Sequence, residues 1–257
     1  MVTKSAMFAA LVVCSWSAAA DTITIRADEW LPYNGGTRLN PPGYMIEMAQ
    51  AIAKDNGHEI DYRNMAWDDA LAAARAGRID CVVGAYISDA EGFAFPKASW
   101  GKSGNDFWVL ADSKWRYEGV DSLASVRLAI AEGYSYGDEI DAWIKANRAD
   151  PERIVVVPVI GRASARMIAR LVGRQADVMV EDANVLAYAL EQAKMEQGRI
   201  VSAGNSGAPE DVYIACTPAH PRGRQWADMF DAGTQSLRSS GRLKEILARY
   251  NLADWQN

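Results

Sequence analysis

Histidine and cysteine are scarce in this chain. Its 257 residues include two histidines, His58 and His220, and neither has a cysteine or another histidine at ligand spacing. That leaves no zinc or other transition-metal site to read, and no acidic stretch has the spacing of a calcium loop. Positive charge is also short: 27 lysines and arginines face 33 aspartates and glutamates, a net charge of −6. An acidic chain has no electrostatic case for binding nucleic acid, which needs a basic surface. Beyond residue 20 no run is long and apolar enough to span a bilayer. "WGKSG" (100–104) resembles the end of a phosphate-binding loop, but Pro96 stands where the earlier glycine belongs. No cofactor is expected.

What is present starts with a leader. "MVTKSAMFAALVVCSWSAAA" carries Lys4, an apolar stretch from Ala6 to Trp16, and small residues at Ala18 and Ala20. This three-part layout predicts a secretory signal, residues 1–20, cut after Ala20. Val13 is too bulky for a lipoprotein cut before Cys14. Losing Lys4 takes the charge to −7. The remaining 21–257 suffices for two modest cores or one large one. Cys81 and Cys216 remain; in an oxidising compartment they either join or stay as separate buried thiols.

The chain says nearly the same thing twice. "GRIDCVVGA" (77–85) is echoed by "GRQADVMV" (173–180). Around the first, "TITIRAD", "EIDYRN" and "DCVVGAY" read as strands by their β-branched content and alternation. Between them, "YMIEMAQAIAKDNG" and "WDDALAAARAG" read as helices, the second with Asp68 and Asp69 in its first turn. The second half repeats the β-α-β-α-β order with "VRLAIAEG", "GDEIDAWIKANRA", "RIVVVPV", "SARMIARLVG" and "DVMVED". Each copy predicts a mainly parallel sheet flanked by helices, so the fold class is α/β with two lobes. "DVYIACTP" adds a strand, and "RQWADMFDAGTQSLRSSG" and "RLKEILARY" add two helices, most economically to the first lobe. The chain then crosses between lobes near 105–112 and 205–212, with lobe 1 at 21–108 plus 209–257 and lobe 2 at 109–208. Two crossovers make a hinge, and a hinge between such sheets makes a cleft at their strand ends.

At this point the residues resemble the family 3 extracellular solute-binding proteins, the amino-acid-binding type that serves ABC transporters. "ADEWLPYNG" is similar to the family's first-strand exit, and "PGYMIEMAQAIA" to its first helix start. "GRIDCVVGA" and "LVGRQADVMVED" resemble its paired third strands, and "LRSSGRLKEILARYNL" its terminal helix. The matches run in order over nearly the whole of 21–257. The resemblance implies a type II periplasmic-binding-protein fold that closes on a small ligand in the periplasm. It also places the strands of Cys81 and Cys216 side by side and antiparallel, so the two could bridge. The loop closed would exceed a hundred residues, worth up to about 4–5 kcal/mol.

Strand ends facing the cleft supply the candidate ligand-binding residues: Asp28, Trp30 and Tyr33, then Tyr86, Ser88 and Glu91 in lobe 1; Tyr134, Ser135 and Tyr136, then Glu181 and Asp182 in lobe 2. Aromatics there stack on a ligand or grip a cation, or else pack beneath loops. The "EGYSYGDE" turn opens a helix whose free N–H groups attract an anion or carbonyl, or is capped by Ser135. Asp182 matches the family position that holds an α-ammonium group, and it could equally cap the helix that follows.

One departure stands out. The family places an arginine after the third strand to clamp the ligand's α-carboxylate, whereas here none occurs between Arg78 and Arg116. Losing one side of a buried pair costs on the order of 2–5 kcal/mol, roughly thirty-fold to several thousand-fold. Unless Arg38 or Arg162 substitutes, the expected ligand bears an amine or other cation and needs no carboxylate.

The expected function is capture by hinge closure and delivery to an inner-membrane ABC permease, by a monomer. One alternative is an enzyme like the cyclohexadienyl dehydratases, with Glu181, Glu132 or Glu91 as general acid; another is a sensing module for a membrane receptor.

Overall fold

A computed structural model describes residues 20–159 and 162–256. The expected signal lies outside the described residues except for Ala20. The first sheet is assembled from β1 (Thr22–Ala27), β2 (Glu59–Asn64) and β3 (Cys81–Ala85), separated by α1 (Tyr44–Asp55) and α2 (Trp67–Arg75). After β4 (Gly101–Ser103) the chain crosses over. The second sheet takes β5 (Asp106–Leu110), a 3-10 turn at Val120–Ser125, β6 (Leu128–Ala131), α3 (Asp138–Asn147), β7 (Ile154–Val157), α4 (Ala163–Val172), β8 (Val178–Glu181), α5 (Ala183–Gln192) and β9 (Ile200–Asn205). The chain then returns through β10 (Glu210–Cys216), α6 (Arg222–Ser239) and α7 (Arg242–Ala248).

The sheets have the orders β2-β1-β3-β10-β4 and β7-β6-β8-β5-β9. In each, the first three strands are parallel and the last two join antiparallel. Both sheets are therefore mixed, more so than their parallel halves suggest. "NDFWVLAD", read from sequence only as a crossover, is β5, an antiparallel strand inserted beside β8. A lobe boundary at 108/109 falls inside it; all of β5 pairs within the second sheet. In each sheet the strand beside the third one has just arrived from the other lobe, so the crossovers emerge next to the cleft.

Each lobe has its own core. In the first, α1 buries Met45, Met48, Ala49 and Ile52 against β1 and the tail helices, which contribute Trp226, Phe230, Leu243 and Leu247. The spacing of those α1 residues is one face of a 3.6-residue period. Gly43 starts the helix at φ 103°, and a Cβ there would meet Asn34 Cα at 2.6 Å, so only glycine fits. In the second lobe, Phe107, Leu128, Ile130, Ile140, Val178 and Val180 form one cluster, and Met167, Leu171 and Met179 another.

Cys81 and Cys216 lie directly opposite in the antiparallel β3–β10 pair and are joined by a disulfide.

Candidate ligand-binding cleft

A cavity of about 220 Å³ lies between the lobes. Lobe 1 lines it with Asp28 and Trp30 after β1, Trp67, Asp68 and Leu71 at the start of α2, Val83 and Gly84 in β3, then Tyr86, Asp89 and Ser103; Asn105 follows at the crossover. Lobe 2 adds the single stretch Gly133 to Tyr136 after β6, and Glu181 and Asp182 at the end of β8.

Most of these positions follow from one rule: parallel strands deliver the residues after their C-terminal ends to the same rim. Gly84, at φ 86°, makes room inside β3. A Cβ there would sit 3.3 Å from the Trp30 ring. Trp30 is stacked on Tyr33, with ring centroids 4.1 Å apart and planes 14° apart.

Eight of the eleven expected residues line this cavity: Asp28, Trp30, Tyr86, Tyr134, Ser135, Tyr136, Glu181 and Asp182. Tyr33 does not. It is 1% exposed and serves as the backing for Trp30, with its hydroxyl donating to the Lys102 carbonyl at 2.6 Å. Ser88 lines a neighbouring outer chamber instead. Glu91 is exposed and away from the cavity, because the tight turn closed by Asp89 N–H to the Tyr86 carbonyl swings the chain outward. Trp67, Asp68, Leu71 and Asp89 were missed. Trp67 could have been found, since residues after β2 reach the same rim as those after β1 and β3.

Arg38 and Arg162 do not line the cavity; with Arg166, Glu29 and Asn64 they border a separate open depression. The anion-binding reading of the "EGYSYGDE" turn also needs correction. Asp141, inside α3, reaches back to accept from Tyr136 N–H at 2.8 Å and Ser135 Oγ at 2.6 Å. Asp138 and Glu139 share that first turn, so the helix start repels an anion.

Five carboxylates face the cavity: Asp28, Asp68, Asp89, Glu181 and Asp182. No lysine or arginine lines it, and none of the five has an ion-pair partner among the described residues. Asp28 accepts from the Tyr134 hydroxyl of the other lobe at 2.5 Å. Burial pushes its pKa up, and that hydrogen bond pulls it partly back. Glu181 is 5% exposed and accepts from Ser164 Oγ at 2.7 Å and the Asp182 amide at 3.0 Å. Burial raises its pKa to about 7, against the opposing pull of hydrogen bonds from Ser164, Asp182 and Trp30.

Asp182 does more than one thing. Its Oδ1 caps α5 by accepting from Asn184 and Val185 N–H, and lies 3.1 Å from the Tyr33 hydroxyl oxygen, whose proton goes to the nearer Lys102 carbonyl. Its Oδ2 accepts from Gly104 N–H at the outgoing crossover, at 3.2 Å. The capping role is real, and it ties the lobes at the hinge. Of the three carboxyls considered as general acids, only Glu181 lines the cavity. Glu132 is half-exposed beside Arg148.

A model of the bacterial extracellular solute-binding proteins, family 3, matches residues 23–253, and the chain belongs to that family. The structure is similar to a mutant of ArgBP from T. maritima, with 16% identity, coverage of 89% of this chain and 94% of that one, and a TM-score of 0.68. It is similar to an amino acid ABC transporter substrate-binding protein, AbpA, from Streptococcus pneumoniae bound to L-arginine, with 17% identity, 89% and 94% coverage and a TM-score of 0.65. A histidine kinase sensor domain with similarity to periplasmic binding proteins also matches, with 22% identity, 89% and 95% coverage and a TM-score of 0.66. These likenesses show the two-lobed periplasmic-binding-protein fold. No curated protein matches.

Proposed function

We propose that the protein captures a small cationic, amine-bearing solute between its lobes and hands it to a membrane permease. The observation that carries this reading is the cavity wall: five carboxylates with no lysine or arginine among them and no ion-pair partners. Glu181 and Asp182 are buried, Asp28 and Asp89 partly so, and Asp68 is exposed; buried carboxylates without a counter-charge are costly, and a bound ammonium offsets that cost. Trp30, Trp67, Tyr86 and Tyr134 add ring faces that attract a cation. Among the described residues no three His, Cys, Asp or Glu side chains are grouped to hold a metal ion, so the cation that suits these walls is organic. An amino acid's carboxylate finds no cation to meet it. Arginine binding by the similar structures fits the basic end of such a ligand but not its acidic end.

Isothermal titration with butylamine, arginine, glutamate and aspartate tests this. Butylamine and arginine should bind, and the two acidic amino acids should not. Tight glutamate or aspartate binding without amine affinity would sink it.

A second reading is favoured by one observation. Glu181, with its pKa near 7 and its place in the cavity, has the properties of a general acid. An ancestral amino-acid-binding protein that is a precursor of cyclohexadienyl dehydratase has the same fold, at 18% identity, 89% and 94% coverage and a TM-score of 0.64. Dehydration of a cyclohexadienyl substrate, abolished by Glu181→Gln, would establish it.

A further inference from the structure

The cavity does not end at its own walls. Tyr86, Asp89, Ser103, Asn105, Ser135 and Tyr136 line it and also line a second, outer chamber of about 250 Å³. The two chambers therefore share a waist, built from β3's exit on one side and the β6 exit on the other. The outer chamber again draws on both lobes and has no lysine or arginine in its lining. It adds Asp138, Glu139 and Glu210, none of them ion-paired among the described residues.

Asp138 and Glu139 are partly accounted for, since acids in the first turn of α3 complement the helix dipole. Asp89 accepts from the Tyr86 amide in the turn after β3 through one of its oxygens; Glu210 has no such explanation. Glu210 begins β10, opposite Ser103 of β4, and Asp89 feels its negative charge together with that of Asp141. Tyr86 lies within the fields of Asp182 on the inner side and of Asp89 and Glu210 on the outer. Like charges are thus strung along one aromatic ring, through a passage that both lobes enclose. A single ammonium in the inner cavity leaves half-buried Asp89 and exposed Glu210 without a cation beside them.

We infer that the cleft takes an elongated organic dication, a linear diamine or polyamine, with one ammonium in the inner cavity beside Glu181 and Asp28, the alkyl chain along Tyr86 and Tyr136 at the waist, and the second ammonium beside Asp89 and Glu210. The inference rests on the cationic-solute reading and adds a second charge and a length to it. The waist suits an alkyl chain because it offers ring faces to methylene groups. The inner end brings a compact charge to carboxylates of both lobes, Asp28 and Glu181, which favours the closed arrangement; the outer end meets Asp89 and Glu210 of lobe 1.

Titrating the intact protein with putrescine and cadaverine, and with butylamine and pentylamine of matching chain length, separates the possibilities. A second charge contact, at half-buried Asp89 and exposed Glu210, predicts that the diamines bind about fivefold more tightly than their monoamines. Glu210→Gln should cost the diamines about twofold to threefold more than it costs the monoamines. A thermal melt of that variant checks its fold, and Glu139→Gln serves as the second variant. Equal affinities for monoamine and diamine, or equal losses in Glu210→Gln, overturn the dication while leaving a one-cation site standing. Failure of every amine, with glutamate or aspartate bound instead, overturns the cationic reading itself.

Discussion

The two lobes repeat one scaffold down to a single side chain. Asp80, just before β3, accepts from the backbone N–H of Thr24 in β1 at 2.9 Å. Asp177, just before β8, accepts from the backbone N–H of Arg127 at the start of β6, also at 2.9 Å. Each acid pins the first strand of its sheet to the third at the end remote from the cleft. The echo "GRID"/"GRQAD" is therefore structural. The surroundings differ: Asp80 also takes the Thr24 hydroxyl at 2.7 Å and the Trp226 indole at 3.3 Å, inside the core, whereas Asp177 pairs with the Arg127 guanidinium at the surface. At the opposite ends of the strands the resemblance stops. Lobe 1 delivers aromatics and acids from three strand exits, and lobe 2 delivers two short stretches. What repeats holds the sheets together; what diverges lines the cavity.

The comparison can be broken or sharpened by measurement. The largest expected effect comes from a feature only lobe 1 has. Replacing Cys81 and Cys216 by serine should cost up to about 4–5 kcal/mol, because the bond closes a loop between residues 135 apart; urea unfolding reads this directly. Next, Glu181→Gln should weaken amine binding by about 2–5 kcal/mol, roughly thirty-fold or more by calorimetry. An unchanged affinity would remove lobe 2's acid from the site.

The pH dependence of Glu181 follows with a definite sign. Its folded pKa of about 7 lies above its ordinary 4.5, so the folded state holds the proton more firmly than the unfolded one. That stabilisation is complete below about pH 4.5 and is lost as pH rises through about 7, a change on the order of 3 kcal/mol. Amine affinity runs the other way, rising with pH as the carboxyl ionises. Melting curves and titrations at pH 5 and 8 should show opposite trends, and Glu181→Gln should flatten both.

Smaller still is Asp80→Ala, expected to cost about 2 kcal/mol by stranding partly buried donors. Asp177→Ala should cost about 1 kcal/mol or less, since its ion pair is half-exposed. Neither should alter amine affinity. A change in binding from either, without a change in melting temperature, would show that the repeated acids do more than hold strands.

Much of the scaffold was legible because periodicity and strand exits are local signals. "TITIRAD" and the α1 face announce themselves, and parallel strands send their ends to one rim, which brought Asp28, Tyr134 and Glu181 together in advance. Side-chain direction was not legible. In "DEWLPY" nothing in the sequence tells which aromatic faces the cavity: Trp30 does, and Tyr33 lies behind it. Glu91 follows a tight turn whose sense depends on Asp89 accepting from the Tyr86 amide at 3.0 Å. Asp68 read as an ordinary first-turn acid because it is one; that α2 begins at the rim is a tertiary fact. β5 was hidden because its partners, β8 and β9, lie some seventy and ninety residues further on.

The position of the Cys81–Cys216 bond carries a consequence for biogenesis. It fastens the strand that floors the cavity to the strand that arrives last, after the whole of the second sheet has been made. Under reducing conditions the first lobe lacks this clasp, and closing the bond commits the finished fold, because the two ends cannot be brought together until the second sheet has been traversed.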